Sequence, residues 1–321
     1  MAAAFDPRPA HLVALRDLTP DIREIEIAPE GGSAPAPSGA HLKIRVHIDG
    51  RPDTRSYSIV ETSPRGYRIA VKRLAQSRGG SAYMHKLEPG ARLEISGPHN
   101  HFALRLGAPD YLLVAGGIGI TPIYAHALAL AKANANFRLV YGVRERADLA
   151  FADPLAGALG ERLETFIGGE GRRIDLSADF ARLAPEGEAY VCGPVPMLEA
   201  AKRAWRSAGR RMDMLRFETF GASGAWPTTG FRLAIPRLGR EIFVPSGKSI
   251  LQALEDAGVA MIFDCRKGEC GLCALPVLAV DGVIDHRDVF FSDEERAAND
   301  RICTCVSRVY GASITLDTAD R

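Results

Sequence analysis

The chain has almost no net charge. Its 321 residues carry 40 Lys and Arg against 39 Asp and Glu, a formal +1. No basic excess invites nucleic acid, and no acidic tail points to disorder. The first residues, Met1 to Asp6, offer neither a basic n-region nor an apolar stretch, so a secretory signal is not expected. Disulfides are then not expected either, and the expected location is cytoplasmic. Long uncharged runs are also scarce. One exists, Tyr111 to Ala131, free of Asp, Glu, Lys and Arg and long enough to span a bilayer. Gly116, Gly117 and Gly119 interrupt it, and Thr121-Pro122 reads as the N-cap and N1 of a helix. A strand, a glycine turn and a buried helix are therefore expected there, with no membrane partner. The chain shows no internal repeat, no Rieske-type Cys-x-His pair and no haem motif, so a self-sufficient oxygenase is not expected.

What remains is the composition of a globular protein, 46% hydrophobic and 25% charged, in a chain too long for one ordinary core. Three segments separate. Up to about residue 106, short alternating runs such as Ile25–Ile27, His41–Ile48 and Tyr67–Val71 predict an antiparallel β-barrel. A solvated loop is expected at Gly31 to Pro37. From 107 to 221, apolar runs at Tyr111–Ala115, Phe137–Tyr141, Leu163–Ile167 and Ala189–Cys192 alternate with helical patterns, among them Met197 to Ser207. That alternation predicts a parallel sheet covered by helices. Residues 222–230 read as a linker by composition. The last segment, 231–321, predicts a hairpin over Phe231 to Val244, a helix over Ser249 to Ala257, and a cysteine-rich loop.

Cysteine is rare until that loop. Only Cys192 precedes residue 265, whereas Cys265, Cys270, Cys273, Cys303 and Cys305 follow within the last segment. Clustered cysteines without a secretory signal are metal or redox groups. Cys265-x4-Cys270-x2-Cys273 has the spacing of plant-type [2Fe–2S] ferredoxins, in which one compact loop delivers three thiolates and a distant segment closes the cluster. Gly268 and Gly271 supply positive φ and let backbone N–H groups approach sulfur. Cys303 and Cys305 compete to be the fourth ligand. Zinc is the competing reading for the trio, but four-then-two spacing is unusual for zinc.

Val114-Ala-Gly-Gly-Ile-Gly-Ile-Thr-Pro122 follows a predicted strand and opens a helix, a setting suited to a pyrophosphate. It is not G-x-G-x-x-G, because Pro122 holds the last position, and alone it reads equally as a tight strand–helix turn. Cys192-Gly-Pro194 ends a later strand, where ligands gather in open α/β sheets; Cys192 is then placed beside a nicotinamide, or is a buried thiol. In the β segment, Arg55-Ser56-Tyr57-Ser58 offers hydrogen bonds and an aromatic ring to a flavin. Ala70-Val71-Lys72-Arg73 and Arg78-Gly79-Gly80-Ser81 follow, the two glycines being able to form an anion nest.

The order R-x-Y-S, G-G-S, G-G-I-G-I-T-P, C-G-P, F-E-T-F-G and then the cysteines resembles the phthalate dioxygenase reductase family over essentially the whole chain, and is similar to vanillate O-demethylase reductases. Asp285-His-Arg-Asp288 and Ser307-Arg308 are also typical of that family. The resemblance implies an FMN-binding β-barrel, an NAD-binding α/β domain and a C-terminal α+β (β-grasp) ferredoxin domain. It implies FMN contacts at Arg55, Ser56, Tyr57, Ser58, Ala70, Val71, Lys72, Gly79, Gly80, Ser81 and Thr121. It places Phe220 near the ring where nicotinamide docks, and Gly116, Gly117, Gly119, Arg144, Cys192, Gly193 and Pro194 along an NADH site. Cys192, Thr121 and Phe220 are the residues expected closest to hydride transfer. Cys305, in a Thr-Cys context before a short tail, is the fourth cluster ligand that the resemblance favours, with Cys303 a buried thiol. Arg144, with Arg146 nearby, could in principle face a 2′-phosphate, yet Arg stands there in NADH-using relatives. The function implied is NADH-dependent reduction of a terminal Rieske oxygenase acting on an aromatic compound, the partner docking around Arg266 and Lys267. The alternative is an iron–sulfur transfer or sensor module serving another partner.

Overall fold

The computed structural model describes residues 5–48, 50–74, 79–220 and 226–318. Arg78 and part of the expected linker, 222–225, lie outside them. Contacts divide the chain into two compact units, Phe5–Glu218 and one that starts at Thr219.

The first unit begins with β1 (Arg8–Asp17), β2 (Ile22–Pro29), β3 (Ala40–Ile48), β4 (Arg51–Ser63), β5 (Gly66–Lys72), a short helix α1 (Gly80–His85) and β6 (Arg92–Asn100). The strands close a barrel in the order β1-β2-β5-β4-β3-β6, every pair antiparallel. Alternation explains the closure. Ile25 and Ile27 of β2, Leu42, Ile44 and Val46 of β3, and Ile69 and Val71 of β5 all face the barrel core.

The same unit continues with β7 (Tyr111–Gly116), α2 (Ile120–Lys132), β8 (Phe137–Val143), α3 (Ala152–Leu159), β9 (Leu163–Ile167), α4 (Leu176–Ala181), β10 (Glu188–Cys192), α5 (Val195–Ser207) and β11 (Leu215–Glu218). They form a parallel sheet in the order β11-β10-β7-β8-β9. After β9 the chain returns to the far side of β7, so the carboxyl ends of β7 and β10 form a topological switch point. Ile22, Val60 and Ala70 of the barrel strands join the core of this sheet and α2. Among the described residues no helix is long and apolar enough to cross a membrane.

Thr121 is not the helix N-cap. Gly117 turns the chain at φ +54, Gly117–Gly119 form a 3-10 turn, and α2 is already under way at Ile120. The glycines close the first turn themselves, one residue before any side chain could cap it.

The second unit holds β12 (Phe231–Ile235), β13 (Arg240–Val244), α6 (Ile250–Asp256), β14 (Ala274–Asp285), α7 (Asp293–Ala298), β15 (Arg301–Cys303) and β16 (Arg308–Leu316). Their sheet runs β13-β12-β16-β14-β15, with β12 and β16 parallel and the other pairs antiparallel. Ser249 caps α6 in a reciprocal capping box with Gln252. This unit has its own core, built on Phe231, Leu233, Ile250, Leu254, Ile302 and Ile314.

Candidate functional site

The cysteine loop lies between α6 and β14, with Cys273 at its end. Antiparallel pairing of β14 with β15 sets Ala274 opposite Cys303, which brings the later cysteines to the trio. Thr304 locks this arrangement, donating to the Cys273 carbonyl through its N–H at 3.3 Å and its Oγ1 at 2.8 Å. The sulfurs meet: Cys265 with Cys305 and Cys270, and Cys273 with both Cys303 and Cys305. None is in a disulfide. The Lys267 and Glu269 N–H groups each donate to Cys265 Sγ at 3.4 Å.

These contacts set the acidities. The Cys305 thiol, followed by backbone N–H donors, draws Cys265 down to about 5. The thiols of Cys303 and Cys305 draw Cys273 down to about 3. Cys303 is pushed up by Cys273, and Cys305 by Cys265 and Cys273. Burial pushes Cys270 up. Thiols that share protons in this way are a donor set from which metal displaces protons. Backbone N–H donation to a sulfur is the outer-shell support an iron–sulfur cluster uses. The residues present therefore fit a [2Fe–2S] group.

The glycines of the loop are structural necessities. At Gly268 (φ +75) a Cβ would lie 2.8 Å from Asp288 Cα, and at Gly271 (φ +72) 2.2 Å from the Phe290 ring. Beneath the loop, the buried Asp288 accepts from Phe291 N and Ser307 Oγ, both at 3.0 Å, and Val289 N donates to Gly268 O. Arg287 pairs with Asp285, and Arg308 donates to the carbonyls of Thr229 and Pro245. The acidic–basic motif and the Ser-Arg pair thus brace the loop from below. The basic face expected at Arg266 and Lys267 is only partly exposed. Arg266 forks onto Glu255 at 3.0 and 2.5 Å, stacks on Phe263 and keeps 36% of its side chain in solvent, whereas Lys267 is buried. Leu272 and Phe290 are the exposed large side chains there instead. Thr219 N donates to Glu269 Oε1 at 2.7 Å, so Phe220, whose surface is 38% exposed, follows directly from a residue tied to the cluster loop.

At the switch point of the first unit, the two glycine loops interlock. A Cβ on Gly116 would meet Pro194 Cδ at 2.8 Å, one on Gly119 the Cys192 carbonyl at 2.2 Å, and one on Gly193 the Met197 Sδ at 2.7 Å. Only Gly117 of the first loop has open space around it. The sequence pattern alone did not separate these packing glycines from the one that faces out. Cys192 is fully buried at the end of β10. Thr121 is buried too, and its hydroxyl donates to Ile118 O at 3.0 Å. Arg144 is exposed just past β8.

The barrel motifs lie against this sheet. Helix α2 packs on β4, which carries Arg55, Ser56, Tyr57 and Ser58, and the 3-10 turn packs on β5, which carries Ala70, Val71 and Lys72. Arg55 crosses Gly80, where a Cβ would come within 2.8 Å of its Cγ and Nε, and pairs with Asp53 at 2.7 Å. Gly79, at φ +85 and ψ −29, precedes α1, so the N–H groups of Gly80 and Ser81 stand at the N-terminal end of that helix. With the Arg55 guanidinium they form a cradle fit for a phosphate. Burial pushes the Tyr57 phenol well above its ordinary range, keeping it a neutral donor. Lys72 is less free than expected, paired with Asp21 at 3.1 Å and Asp148 at 3.8 Å.

Three family models match: an oxidoreductase FAD-binding domain at residues 10–104, an oxidoreductase NAD-binding domain at 113–166 and a 2Fe-2S iron-sulfur cluster binding domain at 235–310. The phenoxybenzoate dioxygenase subunit beta of Ectopseudomonas oleovorans is 42% identical over 89% of this chain and 89% of that protein. The structure of phthalate dioxygenase reductase is 31% identical with a TM-score of 0.79, covering 98% of each chain. An intact type IV self-sufficient cytochrome P450 monooxygenase is 34% identical with a TM-score of 0.66; 97% of this chain aligns, spanning 41% of that one. With these motifs in this order, the chain belongs to the phthalate dioxygenase reductase family of oxygenase reductases, which join a flavin domain, an NAD domain and a [2Fe–2S] domain.

Proposed function

We propose that the chain is the cytoplasmic, NADH-dependent reductase of a two-component Rieske-type aromatic oxygenase or O-demethylase. It holds FMN at Arg55, Ser56, Tyr57, Ser58, Ala70, Val71, Lys72, Gly79, Gly80, Ser81 and Thr121. Its cluster ligands are Cys265, Cys270, Cys273 and Cys305. The chemistry supplied by the bound groups is hydride acceptance from NADH by the flavin and one-electron relay by the cluster.

The protein positions. Arg55 and the α1 N–H groups take the flavin phosphate, and the neutral Tyr57 phenol presents its ring in the barrel wall. Gly117 lets the dinucleotide approach the loop backbone, while Cys192, Gly193 and Pro194 bound the nicotinamide end. By the family resemblance, Phe220 would lie near the ring where nicotinamide docks. Thr121, whose hydroxyl donates a hydrogen bond to Ile118 O, would have its lone pairs left to accept from a donor on the flavin. The observation that carries the reading is the meeting of Cys305 with both Cys265 and Cys273 in a chain whose first unit packs a flavin-type barrel on a dinucleotide-type switch point.

Anaerobic NADH added to the purified protein should bleach both the flavin bands and the broader iron–sulfur absorption. Cys270→Ser should leave flavin bleaching intact and abolish electron delivery to a partner. A protein whose flavin NADH does not bleach is an iron–sulfur sensor or transfer module instead. The likeness to a P450 monooxygenase favours a second reading in which the acceptor is a haem protein; reduction by this chain of a purified haem partner, and not of a Rieske centre, would select it.

A further inference from the structure

The parallel sheet delivers three successive strand ends to one rim: Gly116 at the end of β7, Arg144-Glu145-Arg146 after β8, and Gly168 to Gly171 after β9. Ligands of such sheets lie outside the carboxyl ends of the strands. With the pyrophosphate at the turn after β7, the adenosine half runs over the ends of β8 and β9, where side chains read the ribose 2′ position. Two arginines there would draw a 2′-phosphate. Arg146, however, is already engaged: its Nε and Nη2 fork onto the two Glu170 oxygens at 2.9 and 2.8 Å.

Both partners are largely in solvent, so the pair contributes little to folding. Its consequence is for binding. The fork occupies the edge through which a guanidinium takes a phosphate in bidentate fashion, and it sets a carboxylate beside the position of the extra charge. The surroundings hold together the two loops that carry it. Glu145 caps the turn that carries Arg146, its N–H donating to Asp148 Oδ2 at 3.2 Å. Gly169 N donates to Arg144 O at 2.8 Å, and a Cβ on Gly169 would lie 2.7 Å from Glu145 Oε2, so the two loops are held in contact.

We propose that Glu170 is a specificity-determining residue: by engaging Arg146 it excludes the 2′-phosphate of NADPH and leaves NADH as the hydride donor. The inference rests on the reading of the chain as an NADH-dependent reductase.

The test compares the full, cofactor-loaded wild type with Glu170→Gln and with Arg146→Ala/Glu170→Gln. kcat/KM for NADH and NADPH is read by ferricyanide reduction, and binding of adenosine 2′,5′-bisphosphate against 5′-AMP by calorimetry. Glu170→Gln should shift the NADPH-to-NADH ratio of kcat/KM at least tenfold toward NADPH and tighten the bisphosphate by a similar factor. Arg146→Ala in the same chain should reverse both gains. A wild type that already turns over NADPH as well as NADH overturns the proposal. So does a ratio unmoved by Glu170→Gln, or a gain that survives Arg146→Ala. Failure of NADH to reduce the wild type at all sinks the parent reading, and the bisphosphate titration still judges the pair.

Discussion

Cys303 and Cys305 stand two positions apart in one apolar cluster, yet they touch different sets of sulfurs. Cys303 ends a strand, faces Ala274 across the ladder and is buried among Leu251, Phe291 and Val306, touching one sulfur of the trio. Cys305 lies in the turn beyond and touches two, Cys265 and Cys273. A fourth ligand must close the loop's three thiolates, and Cys305 has that reach. Cys303→Ala is expected to keep the iron content and the iron–sulfur absorption, and Cys305→Ala to lose both; the opposite pattern would make Cys303 the ligand. The trio was legible in the sequence because ligand spacing is local. The choice between the later two was not fixed by spacing, since it depends on strand register. Glu170 and the brace of Asp288 on Ser307 gave no local signal of their roles, because each acts on a segment distant in sequence.

Helix α2 and the glycine turn before it show what periodicity reads well and what it misses. The strand, turn and buried helix over Tyr111 to Ala131 were legible, as was most of the strand pattern. The short helix α1 was not, for six residues without a side-chain cap carry no amphipathic signature, although it supplies N–H donors beside Arg55. On α2, His126 is fully buried between Phe102 and Tyr190, its ring centroid 5.0 and 5.1 Å from theirs. Neither ring nitrogen has a well-formed hydrogen bond, and the Phe102 backbone is a polar neighbour. Burial lowers its titration from 6.5 to about 3. As pH falls below 6.5 the unfolded chain takes up a proton that the folded chain refuses until about 3. Stability of the first unit should therefore fall across that window, by at most about 5 kcal/mol. Urea midpoints measured from pH 7 to 4 should drop in the wild type and drop less steeply in His126→Leu. Parallel slopes would mean that His126 is protonated in the fold at little cost.

At the scale of the molecule, the second unit carries its own core, while in the first the barrel has one core and the parallel sheet another, to which Ile22, Val60 and Ala70 of the barrel strands contribute. The order of three segments was legible because each has its own periodicity. The merging of the first two into one unit was not, since a strand pattern does not show what covers its outer face. The energetic consequence is asymmetric. In the second unit the cysteine loop is held by Asp288, Thr304 and the glycine contacts, over a small apolar cluster of Leu251, Phe291 and Val306 in which Cys273 and Cys305 themselves take part. Ligands absent from the unfolded chain convert binding free energy into folding free energy. Iron removal should therefore lower the melting temperature of the second unit, by about 10 °C or more for a domain of this size. Release of flavin from the first unit should occur at an unchanged temperature. Calorimetry with flavin fluorescence recorded on the same sample separates the two events, and a single transition that shifts as a whole would show that the units unfold as one cooperative body.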